Sequence, residues 1–430
     1  SPPPDQNAPA PMSSQPTIAA GVVSDRPAET RSRRAISPRD FSMAMALAVI
    51  WIYFSIRQPA FLSSRNLSML AIELSITATL ALGMLLVMLP GHIDLSAGSG
   101  VGLLGAVAAV LVFSPRDLID RLGFVGRALS PILQTPWPAP LAMAAACLFA
   151  LLLWTLMSRL IVKTGIPAFI VTLGGLQVFR GLHWYIIGSQ TIPVSLGGQT
   201  NAYSALTTYY VQPRAGYILA AAVTLVLIIS TLRARARRQA HRFATADAEL
   251  TFLRLFVSAQ TIFLFVLICN QYQGIPLSAV VLSTVAFIVY ILTQHTPFGR
   301  YLYAIGGNEE AAVLSGVPVQ RVVITAFALM GFIVALTGFM QTAYGGATTS
   351  TVGSLMELDA IAACVIGGTS LRGGRGTVLG TLFGALIMAS LLNGMTLLAV
   401  SPEMKFVARG IVLTLAVWLD VKLSRKSQAH

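Results

Sequence analysis

Side chains with chemistry to offer are scarce in this chain of 430 residues, of which 10% are charged. Most of them stand inside or beside long apolar runs. Glu73 and Thr77 lie one helical turn apart. Asp94 and Ser96 open an apolar segment, and Arg180 and His183 share another. Glu357 and Asp359 lead into a short one, and Asn393 sits deep within a long one. An ionisable or amide group at membrane depth is costly, so Glu73, Asp94, Ser96, Glu357, Asp359 and Asn393 are candidates for a translocation path. Each group also has a plainer reading. Asp94, Glu357 and Asp359 stand where helix N-caps stand. Arg180 has the reach to snorkel to an interface, and Asn393 could bond a neighbouring helix. A proton- or sodium-coupled carrier ordinarily needs a deeper set of ionisable groups than this.

The chemistry of hydrolysis is missing. No phosphate-cradling GxxxxGK[ST], no HExxH and no GxSxG occurs in the sequence. Cys147, Cys269 and Cys364 all lie in apolar runs, without the spacing of a metal site or a disulfide framework. The chain is therefore not expected to be an enzyme, to own an ATPase site, or to need a cofactor or a metal. Uphill transport would have to draw on an ion gradient or on another chain.

Something must position these groups, and composition says what. Soluble domains carry about 25% charged residues, far more than this chain. An all-α, polytopic helical membrane protein is expected. Candidate spans lie at 42–57, 67–89, 94–113, 139–161, 166–187, 216–232, 252–269, 277–293, 320–341, 357–371, 374–398 and 403–420. They give about ten to twelve crossings, with 166–187 and 357–371 broken or re-entrant. Residues 1–40 are rich in Pro, Ser and Ala and then basic, and are expected to form a disordered tail. The transmembrane domain spans 41–421, and 422–430 is a second tail. The first apolar segment reads as an uncleaved span rather than a secretory signal.

Lys and Arg set the orientation. With the N-terminus in the cytoplasm, Arg159, Lys163, the run Arg233–Arg238, Arg300, Arg321, Arg372, Arg375 and the C-terminal basic residues all fall inside, as the positive-inside rule requires. The net charge of +13 is thereby a topology signal and not a sign of nucleic-acid binding. Loops 114–138, 188–215 and 342–356 fall outside, and both termini are cytoplasmic.

One cytoplasmic loop is unlike the others. Thr296–Pro318, TPFGRYLYAIGGNEEAAVLSGVP, reads as two short helices between spans. The first covers Phe298 to Ile305 and ends at Gly306 and Gly307, residues suited to left-handed C-terminal geometry. Asn308 caps the second, with Glu309 and Glu310 in its first turn. Gly316 and Pro318 stop it. A capped helix pair of this kind is a surface offered to a soluble partner. The chain also echoes itself. Gly91–Gly100 resembles Gly367–Gly376 at one fixed offset, and matched Gly-interrupted segments point to a path between repeats. The ridges Gly376, Gly380, Gly384 and Gly98, Gly102, Ala106 suit close helix packing.

These motifs resemble the sugar permeases of bacterial ABC importers, the ribose/xylose/arabinose group, and within it the xylose permeases above all. The strings GHIDLSAGS, PAFIVTLGGLQVFRGL, FGRYLYAIGGNEEAAVLSGV and ELDAIAACVIGGTSLRGGRGTVLG, and Asn393–Met395, are similar to that family in order from about residue 42 to 420. The resemblance implies an inner-membrane homodimer of permease chains. It implies a cytoplasmic ABC ATPase as the source of energy and a periplasmic binding protein that delivers a monosaccharide, with D-xylose foremost. It also implies an ATPase-coupling role for Phe298, Gly299, Arg300, Gly306, Gly307, Asn308, Glu309, Glu310, Leu314 and Gly316. Two positions depart from the family pattern: His92, where Gly or Glu is common, and Glu73, where Gln is common. The alternatives are a permease for ribose, arabinose or galactose, an ion-coupled secondary carrier, and a passive channel.

Overall fold

The computed structural model describes residues 38–195, 199–241 and 248–428, and the side chains within 43–418 of these. The predicted N-terminal tail lies outside the described residues apart from 38–40, the first turn of a helix. Helices α1 to α6 are Pro38–Arg57, Ser64–Met88, Ala97–Phe113, Pro115–Arg121, Phe124–Ala128 and Ser130–Leu133. Helices α7 to α12 are Ala139–Thr164, Ala168–Ile187, Ala205–Thr208, Pro213–Ala240, Ala248–Asn270 and Leu277–His295. Helices α13 to α18 are Pro297–Gly307, Glu309–Leu314, Val319–Gly345, Met356–Ile366, Val378–Leu397 and Pro402–Gln428. The predicted C-terminal tail is thus helical as far as Gln428.

Every candidate span is a helix. Among the described residues, seven helices are long and apolar enough to cross a membrane alone. The pair α3–α4, bent by 112°, would make an eighth. This is fewer than ten to twelve, for local reasons. Helix α16 has 11 residues and reaches about 16 Å, half a hydrocarbon core. Helix α8 carries Arg180 and His183, α1 is a shorter apolar helix, and α18 is charged at its ends.

Helix α2 is apolar round its C-terminal half and carries its polar groups, Asn66, Glu73 and Thr77, toward the N-terminal half, and a helix apolar on every side is a buried one. Its apolar stretch is 83% buried, against 11% for α10 and for α11. It sits at the centre, packed by α12, α15, α16 and α17, while α15 also packs on α3 and α7. Short antiparallel pairings tie the connections at one end. Ile192–Pro193 (β1) pairs with Ala347–Thr348 (β4), and Tyr210–Val211 (β2) pairs with Ile275–Pro276 (β3).

Glycine sets the closest approaches. A Cβ at Gly384 of α17 would overlap the Ala363 carbonyl oxygen of α16, and one at Gly380 would overlap that of Gly367. Gly174 of α8 has open space instead. We expect Gly384→Val to lower the midpoint of thermal unfolding in detergent by several degrees, an overpacking cost of about 1–3 kcal/mol. Gly174→Ala should leave it unchanged or raise it slightly, through about 1 kcal/mol of helix propensity. Equal effects would show that the ridge is not a packing surface.

Candidate functional site

The site has two ends, and α2 joins them. At its C-terminal end the chain turns at Gly91, whose φ of 91° places it in the left-handed region. The His92 N–H bonds back to the Val87 carbonyl oxygen at 3.1 Å, which closes a Schellman motif. Helix α16 ends in the same way. Gly368 has φ of 98°, and the Thr369 N–H reaches the Cys364 carbonyl at 2.9 Å. The two breaks are therefore one motif used twice, with Gly91 matching Gly368, one residue away from the sequence echo. They also touch. The Gly374 N–H donates to the Leu89 carbonyl at 2.9 Å.

Helix α13 lies across this junction. Thr296 caps it, its hydroxyl accepting from the Gly299 N–H at 3.3 Å. Leu302 and Ile305 are buried beneath it, and a Cβ at Gly299 would overlap the Thr293 and Leu292 carbonyls. Gly306 and Gly307 are not a left-handed stop, as the sequence suggests; both lie inside the helix. Gly306 is there because nothing larger fits. A Cβ would overlap the Leu89 carbonyl oxygen and the Gly374 amide nitrogen, and would crowd Gly373. Gly307 next to it has open space. Tyr303 adds a second tie, its hydroxyl donating to the Gly376 carbonyl at 2.9 Å. Asn308 caps α14, accepting from the Ala311 N–H at 2.9 Å, and Gly316 follows with φ of 80°. Arg300, Gly307, Asn308, Glu309, Glu310, Leu314 and Gly316 all face solvent, Leu314 at 89% exposure. Phe298 packs against the core.

Toward the N-terminal end of α2, roughly 24 Å back along the helix from Leu89, is a cavity of about 320 Å³. Its polar wall holds Glu73, Thr77, Gln341, Tyr344, Asp359 and Arg409. The Tyr344 hydroxyl donates to Glu73 Oε1 at 2.8 Å, and Asn393 Nδ2 donates to Glu73 Oε2 at 3.1 Å. Asn66 Nδ2 in turn donates to Asn393 Oδ1 at 2.9 Å. This chain of bonds ties α2, α15 and α17 together. Arg409 Nε stands 3.2 Å from Asp359 Oδ1. Donors, acceptors and both signs of charge around one small space suit a ligand rich in hydroxyls.

Three of the candidate path residues lie elsewhere. Asp94 is fully buried. Its Oδ1 accepts from Ser96 N–H at 2.9 Å and Ser96 Oγ at 2.6 Å, and its Oδ2 from Trp154 Nε1 at 2.6 Å. It locks the break to α7, and Ser96 rather than Asp94 occupies the N-cap position of α3. Glu357 is buried against Gly98 of α3. Tyr344 and Arg409 complete the cavity but are not singled out by the sequence reading. Arg409 carried the signal, being a charge inside an apolar run like Glu73. Asn66 and Trp154 carried none.

The family model for the branched-chain amino acid transport system / permease component matches residues 66–417. The chain belongs to this family. It is 36% identical over 396 residues to the xylose transport system permease protein of Escherichia coli (strain K12), covering 92% of this chain and 94% of that one. It is 35% identical to the protein of that name from Haemophilus influenzae, covering 91% and 99%. It is 32% identical to the ribose import permease protein of Bacillus subtilis (strain 168), covering 88% and 92%. No solved structure matches. The permease match begins at Asn66 and includes Arg409, so it contains both ends of the site.

His92 lies in the first break, outside the spans, and with Glu309 lines a cleft of about 480 Å³ under α14. Burial pushes its imidazole below the ordinary value of 6.5, and the Glu309 carboxylate partly offsets this. The folded state then binds fewer protons here than the unfolded state, so stability is complete above about pH 6.5 and falls as pH drops below it. His92→Gln should reduce the loss of thermal midpoint between pH 7.5 and 5.5, and Glu309→Gln should enlarge it. Identical losses in all three proteins would remove His92 from this role.

Proposed function

We propose that the chain is the membrane-spanning permease subunit of an ATP-driven ABC importer for a monosaccharide, with D-xylose as its substrate. The observation that carries this reading is the arrangement along α2. A polar cavity of monosaccharide scale lies toward one end, and an exposed, capped helix pair is fixed by backbone packing to the other. The end with the cavity faces the periplasm, where a binding protein delivers sugar. The end with α13 and α14 faces the cytoplasm, where an ATPase docks, so that both termini are cytoplasmic. Two copies of the permease form the translocating unit in the inner membrane.

Within this reading each residue has a task. Glu73, held by Tyr344 and Asn393, keeps acceptor oxygens at the cavity wall. Asp359 and Arg409 supply a neutralised donor–acceptor pair beside it. Asp94, Ser96 and Glu357 hold α3 against α7 and α16 so that the breaks keep their shape. Glu309, Glu310, Arg300 and Leu314 form the contact surface for the ATPase. Movement of α13 reaches both breaks at once, because Gly306 touches Leu89 and Gly374 together. The cavity needs only loose binding, since the binding protein selects the sugar. The xylose permeases at 35–36% identity support the choice of pentose.

The test is reconstitution with the cognate ATPase and binding protein. D-xylose should stimulate ATP hydrolysis and uptake more than ribose, arabinose or galactose. Arg409→Ala should cut uptake at least tenfold, because it leaves Asp359 buried without a counter-charge, at a cost of about 3–5 kcal/mol. Glu309→Lys with Glu310→Lys should weaken ATPase binding and uncouple hydrolysis. Uptake driven by a proton or sodium gradient with no ATPase present would contradict the reading.

A further inference from the structure

The α10–α11 pair is the least integrated part of the bundle. Its two helices pack on each other and, through an apolar cluster of Ala220, Val266, Cys269, Ile275 and Ala279, are held near one end only. At the other end, near the C-terminus of α10 and the N-terminus of α11, a cleft of about 360 Å³ opens between them. Its polar wall is Thr231, Arg235, Arg238, Thr251, Arg254 and Ser258, and Leu227 and Leu255 line it toward the apolar part of the helices. Arg235 is half-buried and donates through Nη1 to Thr251 Oγ1 at 3.4 Å. Arg238 and Arg254 have no carboxylate partner among the described residues.

The height of this cleft follows from chain length. From Pro213 to Leu232 α10 runs about 20 apolar-rich residues, roughly 30 Å, which is the thickness of the hydrocarbon core. The basic run begins at the next residue, Arg233. The arginines of α10 therefore stand at headgroup level, with Leu227 about 12 Å deeper than Arg235, and Arg254 and Leu255 of α11 face them across the cleft. On α10 the lining runs inward from Arg238 and Arg235 through Thr231 to Leu227, and on α11 Thr251, Arg254, Leu255 and Ser258 face it. Guanidinium groups toward the basic end, hydroxyls among them and leucines on both walls match one chemistry: a phosphodiester headgroup with acyl chains attached. Guanidinium groups suit the phosphate oxygens by their planar fork of donors. Basic pockets between spans on the positively charged side of a membrane protein are a known form of anionic-lipid site.

We propose that the cleft between α10 and α11 binds an anionic phospholipid, with Arg235, Arg238 and Arg254 on its phosphate and Leu227 and Leu255 on its acyl chains. The bound lipid fills the gap that the pair leaves at its basic end and fixes the splay of two helices that the bundle itself holds only at the opposite end. The site is independent of the sugar cavity and of α13 and α14.

The full-length chain in nanodiscs tests this. Discs of phosphatidylcholine with phosphatidylglycerol are compared with discs of phosphatidylcholine alone, and retained lipid is counted by mass spectrometry after exchange into mild detergent. Wild type should retain phosphatidylglycerol in preference. Arg238→Ala with Arg254→Ala should retain about tenfold less. Arg233→Ala with Arg237→Ala removes the same charge from residues that do not line the cleft, and should retain it like wild type. Thermal unfolding provides a second readout. Added phosphatidylglycerol should raise the midpoint of wild type and of the Arg233/Arg237 variant but not of the Arg238/Arg254 variant, and soluble glycerol phosphate should raise none of them. Equal loss of lipid in both variants would reduce the effect to net charge and overturn the proposal, as would a preference absent from wild type. Displacement of the lipid by glycerol phosphate at equal concentration would assign the cleft to a free phosphate. A change of oligomeric state in the Arg238/Arg254 variant, with lipid content unchanged, would assign it to a second copy of the chain.

Discussion

Leu89, Gly306 and Gly373–Gly374 meet backbone to backbone, with no side chain between them. The contact joins three parts of the molecule that are far apart in sequence: the end of the central helix, the surface helix α13 and the loop after α16. Close packing makes such a junction stiff. A displacement of α13 cannot be absorbed by rotamer changes, because there are no rotamers to change, and it passes to both breaks together. The rest of the structure serves this contact. Thr296 and Tyr303 set the position of α13, the two Schellman turns set the directions of the loops, and Asp94 fixes the first break to α7.

The polar groups in the apolar interior follow a related logic. Burying a carboxylate is costly unless hydrogen bonds and charge offset it. Asp94 meets this fully, with Ser96 and Trp154 on its two oxygens. Glu73 meets it through Tyr344 and Asn393 while remaining at a cavity wall. Two acids thus serve two purposes, Asp94 sealed for rigidity and the half-buried Glu73 left accessible. The membrane gives the reason for the economy. Each further ionisable group would need its own partners.

Much of this was legible in the sequence because the membrane imposes simple rules. Every apolar run became a helix, and the cap at Asn308 and the stop at Gly316 were readable from residue type alone. The same rules misjudged what local chemistry decides. Gly306 and Gly307 look alike in sequence and both suggest a helix end, yet one is a contact and the other is free, a difference made by residues more than 60 positions away. Asp94 looks like an N-cap, and its partner Trp154 lies in another helix. The echo between the two breaks is visible in sequence but one residue out of register: Gly91 matches Gly367 by spacing, while the left-handed turn is made by Gly368. Long-range pairing of this kind leaves no mark in composition or spacing.

The most direct test compares two adjacent glycines. In the complex reconstituted with its ATPase and a sugar-loaded binding protein, the measurement is sugar-stimulated ATP hydrolysis for Gly306→Val and Gly307→Val. If the backbone junction transmits the motion of α13, Gly306→Val abolishes stimulation while the ATPase remains bound, and Gly307→Val hydrolyses like wild type. Equal stimulation in the two variants would contradict the account.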